Sequence, residues 1–142
     1  SGSWFGKRLL ALHLYHKLDP AVDEDFKATF NFSKDDIVNR VYQESDANVF
    51  LASFMTFIGR HQEVPQIISL LEEGFQEFVN VHVKCYEGYQ DCPVHFVGSV
   101  AYHFQSVLRH VCAREGIAIG QIIKRPIDGL AKYHLNYILN VA

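Results

Sequence analysis

A change of hydrophobic period at Pro93 constrains this chain more than any other feature. Ahead of Pro93, large apolar residues recur three and four positions apart, the spacing of an amphipathic helix. The first part therefore reads as helix after helix. Phe5, Leu9, Leu12 and His16 share one face of a helix predicted from Ser3 to Leu18. Asp19-Pro20 supplies an N-cap with proline at the first helical position, opening a short helix through Phe26 and Phe30. Ser33-Lys34-Asp35-Asp36 has the spacing of a capping box, and its helix is expected to end near Tyr42. Another helix opens at Asp46, aligns Phe50, Phe54, Phe57 and Ile58, and stops at Gly59. From Val64 a longer helix is predicted to about Tyr86, with Ile67, Leu71, Phe75, Phe78 and Tyr86 as its apolar stripe. Gly74 weakens the middle of that helix by up to ~1 kcal/mol relative to alanine.

Beyond Pro93 short apolar runs alternate with helical stretches. Val94-His95-Phe96-Val97, flanked by Pro and Gly, reads as a buried strand, and Gly98-Ser99 as the turn after it. Val100 to Arg114 is predicted as one helix with Val100, Phe104, Leu108 and Val111 on a common face, stopped by Gly116. Ile117 to Ile123 carries a second β-type run, placing a strand near 118–124. Pro126 begins a last helix through Leu130, Tyr133 and Leu135. Strand, helix, strand and helix at this spacing form a βαβ unit with parallel pairing. Two strands do not make a stable sheet alone, so further strands are expected from elsewhere. The expected architecture is a helix-rich α/β fold with an incomplete sheet. It is read as one domain over 1–142, with a helical part at 1–92 and a β-α-β-α part at 93–142.

The totals exclude several functions. With 142 residues, 49% hydrophobic and 20% charged, the chain has the balance of a soluble globular domain, and its 11 Phe, 7 Tyr and 1 Trp promise an aromatic core. The net charge of -3, with no Lys/Arg run longer than two, speaks against nucleic acid or an anionic membrane as partner. No apolar run approaches the roughly 20 residues of a membrane helix, and no signal peptide is visible. Cys85, Cys92 and Cys112 are odd in number and widely spaced, without a CxxC pair, which points to reduced thiols in the cytoplasm rather than a zinc or iron–sulfur site.

The strongest chemical signal is Phe96-Val97-Gly98-Ser99-Val100-Ala101, where a strand ends in Gly-Ser and a helix begins. A helix N-terminus presents free N–H groups, glycine admits a ligand close to the backbone, and open α/β sheets bind ligands at the carboxyl ends of strands. That geometry suits a nucleotide; Gly-Ser turns are common, and on the residues alone a plain tight βα turn is the favoured reading. Ser99 as a nucleophile fits poorly, because the elbow needs G-x-S-x-G and no second glycine follows. His13 and His16 lie three apart on a predicted helix but lack a supporting acid or Cys, and His103 and His110 are two turns apart. Asp35-Asp36 and Glu72-Glu73 split between helix faces and read as solvated surface. No Walker loop and no GxGxxG occurs, so a P-loop kinase is excluded.

Residues 93–134 carry a family resemblance. Pro93-Val94-His95-Phe96-Val97-Gly98-Ser99-Val100-Ala101-Tyr102 resembles the adenosine motif of the actin-like ATPase superfamily, which has a ribonuclease H-like fold. Gly98-Ser99-Val100-Ala101 followed by Pro126-Ile127-Asp128-Gly129-Leu130-Ala131-Lys132-Tyr133-His134 is similar to the end of the BadF/BadG/BcrA/BcrD-type ATPases, nearest the N-acetylglucosamine kinase branch. Ser1-Gly2-Ser3-Trp4-Phe5-Gly6-Lys7-Arg8 resembles the tail of that family's Gly-Asp-Glu-Gly-Ser-Gly-Ser/Ala-Trp segment, and Asn48 to Phe54 shares its character.

The resemblance implies a carboxy-terminal lobe fragment whose parent is an ATP-dependent hexosamine kinase. Gly98, Ser99 and Val100 would line the adenosine pocket; Gly2 and Ser3 would begin the helix behind the sugar site. ATP and Mg2+ would serve the intact parent, whose phosphate loops, magnesium ligands and catalytic base would precede Ser1. Ser99 stands where many superfamily members have Gly. The implied partners are the missing amino-terminal lobe, ATP or ADP and an amino sugar, with a homodimer compatible. The isolated chain is expected to be inactive. Two other readings stay open: an activator-type ATPase of the same family, which would need cluster-ligating cysteines, and a helical interaction module without nucleotide binding.

Overall fold

A computed structural model describes residues 1–139 of the chain. It divides into two compact units, Ser1–Gly74 and Phe75–Ala142, with the boundary inside a helix.

The amino-terminal unit is all helical: α1 (Gly2–Leu14), α2 (Pro20–Thr29), α3 (Lys34–Tyr42), α4 (Ala47–Ser53), α5 (Met55–Arg60) and the first half of α6 (Pro65–His82). The caps predicted at Asp19 and Ser33 form. Asp19 accepts from the N–H groups of Ala21 and Val22 at 3.1 and 3.3 Å, with Pro20 at the first position. Ser33 and Asp36 close both halves of the capping box, at 3.1 and 2.9 Å. Phe26, Phe30, Phe32, Phe50, Phe54 and Phe57 form one aromatic cluster, with Phe30 and Phe54 ring centroids 4.9 Å apart and Phe54 fully buried at its centre. Leu9, Val22, Ile58, Ile67 and Leu71 complete the core.

Three expectations for this unit need correction. α1 ends at Leu14 rather than Leu18, because His16 adopts a left-handed conformation (φ 56°). The N–H of His16 then bonds the His13 carbonyl (3.1 Å) and that of Lys17 the Leu12 carbonyl (2.8 Å), a Schellman stop built without the usual glycine. The helix opened at Asp46 breaks at Phe54 into α4 and α5, and Gly59 lies inside α5 rather than ending it. The Phe54 N–H bonds the Leu51 carbonyl three residues back at 3.3 Å, a tightening that turns the axis while keeping the Phe54 ring in the core. Gly74, expected only as a weakness, carries a packing role: a Cβ there would overlap the ring of Phe5.

The carboxy-terminal unit holds the rest of α6, β1 (Val94–Val97), α7 (Ser99–His103), α8 (Gln105–Arg114), β2 (Ile119–Ile123), α9 (Pro126–Tyr133) and a π-helical segment, His134–Leu139. β1 and β2 pair in parallel, as the βαβ pattern predicts. Phe75, Val79, Val83, Phe96, Phe104, Leu108, Val111, Cys112 and Ile117 form the core. α6 stops at His82, short of Tyr86, and its stripe continues from Phe75 through Val79 and Val83 at four-residue steps. Tyr86 is exposed and Phe78 only half covered, against Phe96 at 6.3 Å. The single helix predicted for Val100–Arg114 is broken at Phe104 into α7 and α8, and Val100 is half-buried rather than in the core. Gly116, with φ 69°, stops α8 as expected: the Ile117 N–H reaches the Cys112 carbonyl at 2.9 Å. The last helix turns π-helical at His134, so Leu135 lies beyond α9.

Candidate functional site

Parallel pairing puts the carboxyl ends of β1 and β2 at one edge of the sheet, the edge where open α/β folds bind ligands. Gly98 follows β1, and Lys124-Arg125 follows β2. The Gly98 N–H donates to the Ile123 carbonyl at 2.8 Å, which ties the turn to the end of β2. Gly98 has φ 136° and ψ 156°, a region essentially closed to residues with a Cβ. Nothing lies within 4 Å of the position a Cβ would take. The backbone, not crowding, demands glycine here, and the space beside it is open.

Ser99 is the exposed first residue of α7, and Val100 is half-buried behind it. The first hydrogen bond closing this turn runs from the Tyr102 N–H to the Gly98 carbonyl at 3.1 Å. The amides of Ser99, Val100 and Ala101 lie ahead of that bond, and no side chain caps the helix. Two residues not singled out from the sequence join the same edge. The Tyr102 ring, partly exposed, has the Lys124 ammonium 5.7 Å from its centroid. Their signal is readable in retrospect: a basic pair immediately after the second strand, and an aromatic one turn along the helix from Ser99. Aromatic plate, cation, uncapped amides and open glycine together suit a planar base carrying anionic groups.

Gly2 and Ser3 belong to the amino-terminal unit. Gly2 is buried at the start of α1, where a Cβ would stand 3.1 Å from Met55 Cγ and 3.3 Å from Ala52 Cβ. Ser3 is half-buried, and its hydroxyl lies 2.7 Å from that of Ser1.

His13 and His61 each pair with a carboxylate of the amino-terminal unit. His16 has left the helix, so it shares no face with His13. His13 Nδ1 lies 2.5 Å from Asp23 Oδ1, and Lys27 reaches the other carboxylate oxygen at 2.9 Å. Partial burial pushes the Asp23 carboxyl up, but these partners outweigh it and hold its pKa below the usual range. His61 Nε2 lies 2.6 Å from Asp25 Oδ2, and this bond, with help from Thr29 and Arg60, lowers the pKa of Asp25. His103 and His110 sit on separate helices, α7 and α8. Asp36 is the capping-box acid, its pKa lowered chiefly by the Ser33 N–H. Cys85 and Cys92 are exposed, while burial pushes the Cys112 thiol up. Among the described residues no three His, Cys, Asp or Glu side chains converge as a metal site, and no helix is long and apolar enough to cross a membrane.

Solved structures similar to this chain bear on the site. The chain is similar to the crystal structure of a protein from Porphyromonas gingivalis described as a "Putative N-acetylglucosamine Kinase", with 33% sequence identity and a TM-score of 0.89. The fold matches half of that structure. The likeness covers 96% of this chain and 48% of the other, so this chain spans about half the length of its relative. No family model and no curated protein matches the chain.

Proposed function

We propose that this chain is the carboxy-terminal lobe of an ATP-dependent sugar kinase acting on N-acetylglucosamine or a related hexosamine, and that it supplies the adenosine side of the site. The observation that carries this reading is the 33% identity sustained over 96% of the chain at a TM-score of 0.89. The sheet edge supports it from chemistry. Gly98 leaves room for a nucleoside against the backbone, the Ser99 hydroxyl and uncapped amides offer hydrogen bonds to ribose or phosphate, and Tyr102 offers a ring to a base. Gly2, packed on Ala52 and Met55, and Ser3 would begin the helix behind the sugar in this reading.

Phosphoryl transfer rests on positioning and on magnesium electrostatics. In this reading magnesium and the base that deprotonates the sugar hydroxyl are held by the amino-terminal lobe, which is the partner of this one. The three free cysteines fit a reducing cytoplasm.

Calorimetry on the 142-residue chain tests the reading. ADP and ATP are expected to bind with a dissociation constant of roughly 1 mM, about -4 kcal/mol, and the chain alone is expected to leave N-acetylglucosamine unphosphorylated. A folded chain indifferent to nucleotide favours a helical interaction module instead.

A further inference from the structure

The strand pairing beside Gly98 is irregular, and the irregularity is filled. Val94 is opposite Ile119 and Phe96 opposite Ile122, so the single residue His95 on β1 faces two residues, Gly120 and Gln121, on β2. Such a β-bulge takes one residue out of the ladder. Here the Gln121 N–H is met by a side chain: it donates to His95 Nδ1 at 2.9 Å. A backbone N–H only donates, so Nδ1 must carry a lone pair and the ring proton of neutral His95 sits on Nε2. Gly120 makes the arrangement fit, because a Cβ there would overlap the His95 ring. Past the bulge the ladder resumes as Val97 opposite Ile123 and closes with the Gly98 N–H on the Ile123 carbonyl. The turn therefore inherits its register from the bulge.

We propose that His95 is a positioning residue for the Gly98 turn, accepting the bulged Gln121 N–H at Nδ1 and so pinning β2 against β1 beside the nucleotide edge. The link to nucleotide rests on the function proposed above; the pin itself does not. His95 is exposed, so water competes for the same N–H and the effect is modest.

Long-range proton–nitrogen correlation on the wild-type chain reads the tautomer directly, expecting an unprotonated Nδ1 and a protonated Nε2; a proton on Nδ1 overturns the pin. Amide exchange at Gln121 is expected to speed up roughly 2- to 10-fold in His95→Leu, the loss of one ordinary hydrogen bond. His95→Asn, whose Oδ1 can stand where Nδ1 was, is expected to restore it, and Gly120→Ala to mimic His95→Leu. Exchange unchanged in His95→Leu, or unrestored in a folded His95→Asn, contradicts the proposal. ADP-induced shifts at Gly98 and Ser99 are expected to weaken in His95→Leu and recover in His95→Asn. Should wild type show no ADP shift, the proposed function falls, while tautomer and exchange still decide the pin.

Discussion

In the amino-terminal unit, glycines stand where two elements touch. A Cβ on Gly6 would overlap the carbonyl of Leu51 where α1 crosses α4, and one on Gly74 would meet the Phe5 ring. In the carboxy-terminal unit, Gly98 has nothing around it, yet its backbone lies where only glycine is comfortable. The first kind of glycine buys close packing, the second a turn with open space at the end of a strand. The difference separates a packing role at Gly6 and Gly74 from a candidate binding role at Gly98, while Gly120, against the His95 ring, is a packing glycine of the carboxy-terminal unit; the two units also differ beyond their glycines. The first is held by a buried aromatic cluster, caps and His–Asp pairs; the second places amides, a ring and a cation at one sheet edge.

Variants can break this contrast, beginning with the largest effect. Phe54→Ala removes the centre of the aromatic cluster and is expected to cost about 3–5 kcal/mol in urea unfolding. A loss below 1 kcal/mol would mean the cluster is not the core of its unit. Gly6→Ala is expected to cost about 1–3 kcal/mol by overpacking α1 on α4. Gly98→Ala is expected to cost about 1–3 kcal/mol too, but by backbone strain. Neither cost is relieved by truncating a neighbour: the obstacle at Gly6 is the backbone carbonyl of Leu51, which Leu51→Ala leaves in place, and nothing stands within 4 Å of the Cβ position at Gly98. Ser99→Ala keeps the backbone and is expected to weaken ADP binding roughly 2- to 10-fold with unfolding unchanged.

The smallest effect is electrostatic. The native pKa values of Asp23, Asp25 and Asp36 lie below the ordinary 3.8, so folding favours their ionised forms. Their contribution is fully present above the unfolded pKa and is lost as pH falls through the folded values. Stability measured by denaturant should therefore hold from pH 7 to about 5 and decline below about 4. Asp25→Asn should flatten that decline; an unaltered acid profile would mean the His61–Asp25 pair contributes nothing.

Much of this was legible in the chain. Local chemistry with a side-chain mechanism was readable: Asp19-Pro20, the Ser33–Asp36 box and the Gly116 stop all act within a few residues, and the parallel pairing followed from the order of strand and helix periods. What escaped depends on contacts distant in sequence or on a residue in an unusual role. His16 ends α1 in a conformation usually left to glycine. Phe54 and Phe104 interrupt helices although neither proline nor glycine is nearby to announce it, since each ring is drawn into a core formed by other elements. Gly74 looked like a defect until Phe5, far away in sequence, lay against it. At the candidate site, Gly98 and Ser99 were marked by the strand-to-helix switch, whereas Tyr102 and Lys124 come together only once β2 returns parallel to β1.

The most direct test of the account is an amide-resolved NMR titration of the chain with ADP, followed by N-acetylglucosamine. The account predicts that ADP, at up to about 10 mM, roughly ten times the expected dissociation constant, shifts Gly98, Ser99, Val100, Tyr102 and Lys124 and leaves the Gly6 and Gly74 regions still. A spectrum of a folded chain in which those five residues do not move, or in which the shifts gather on the amino-terminal unit, would contradict it.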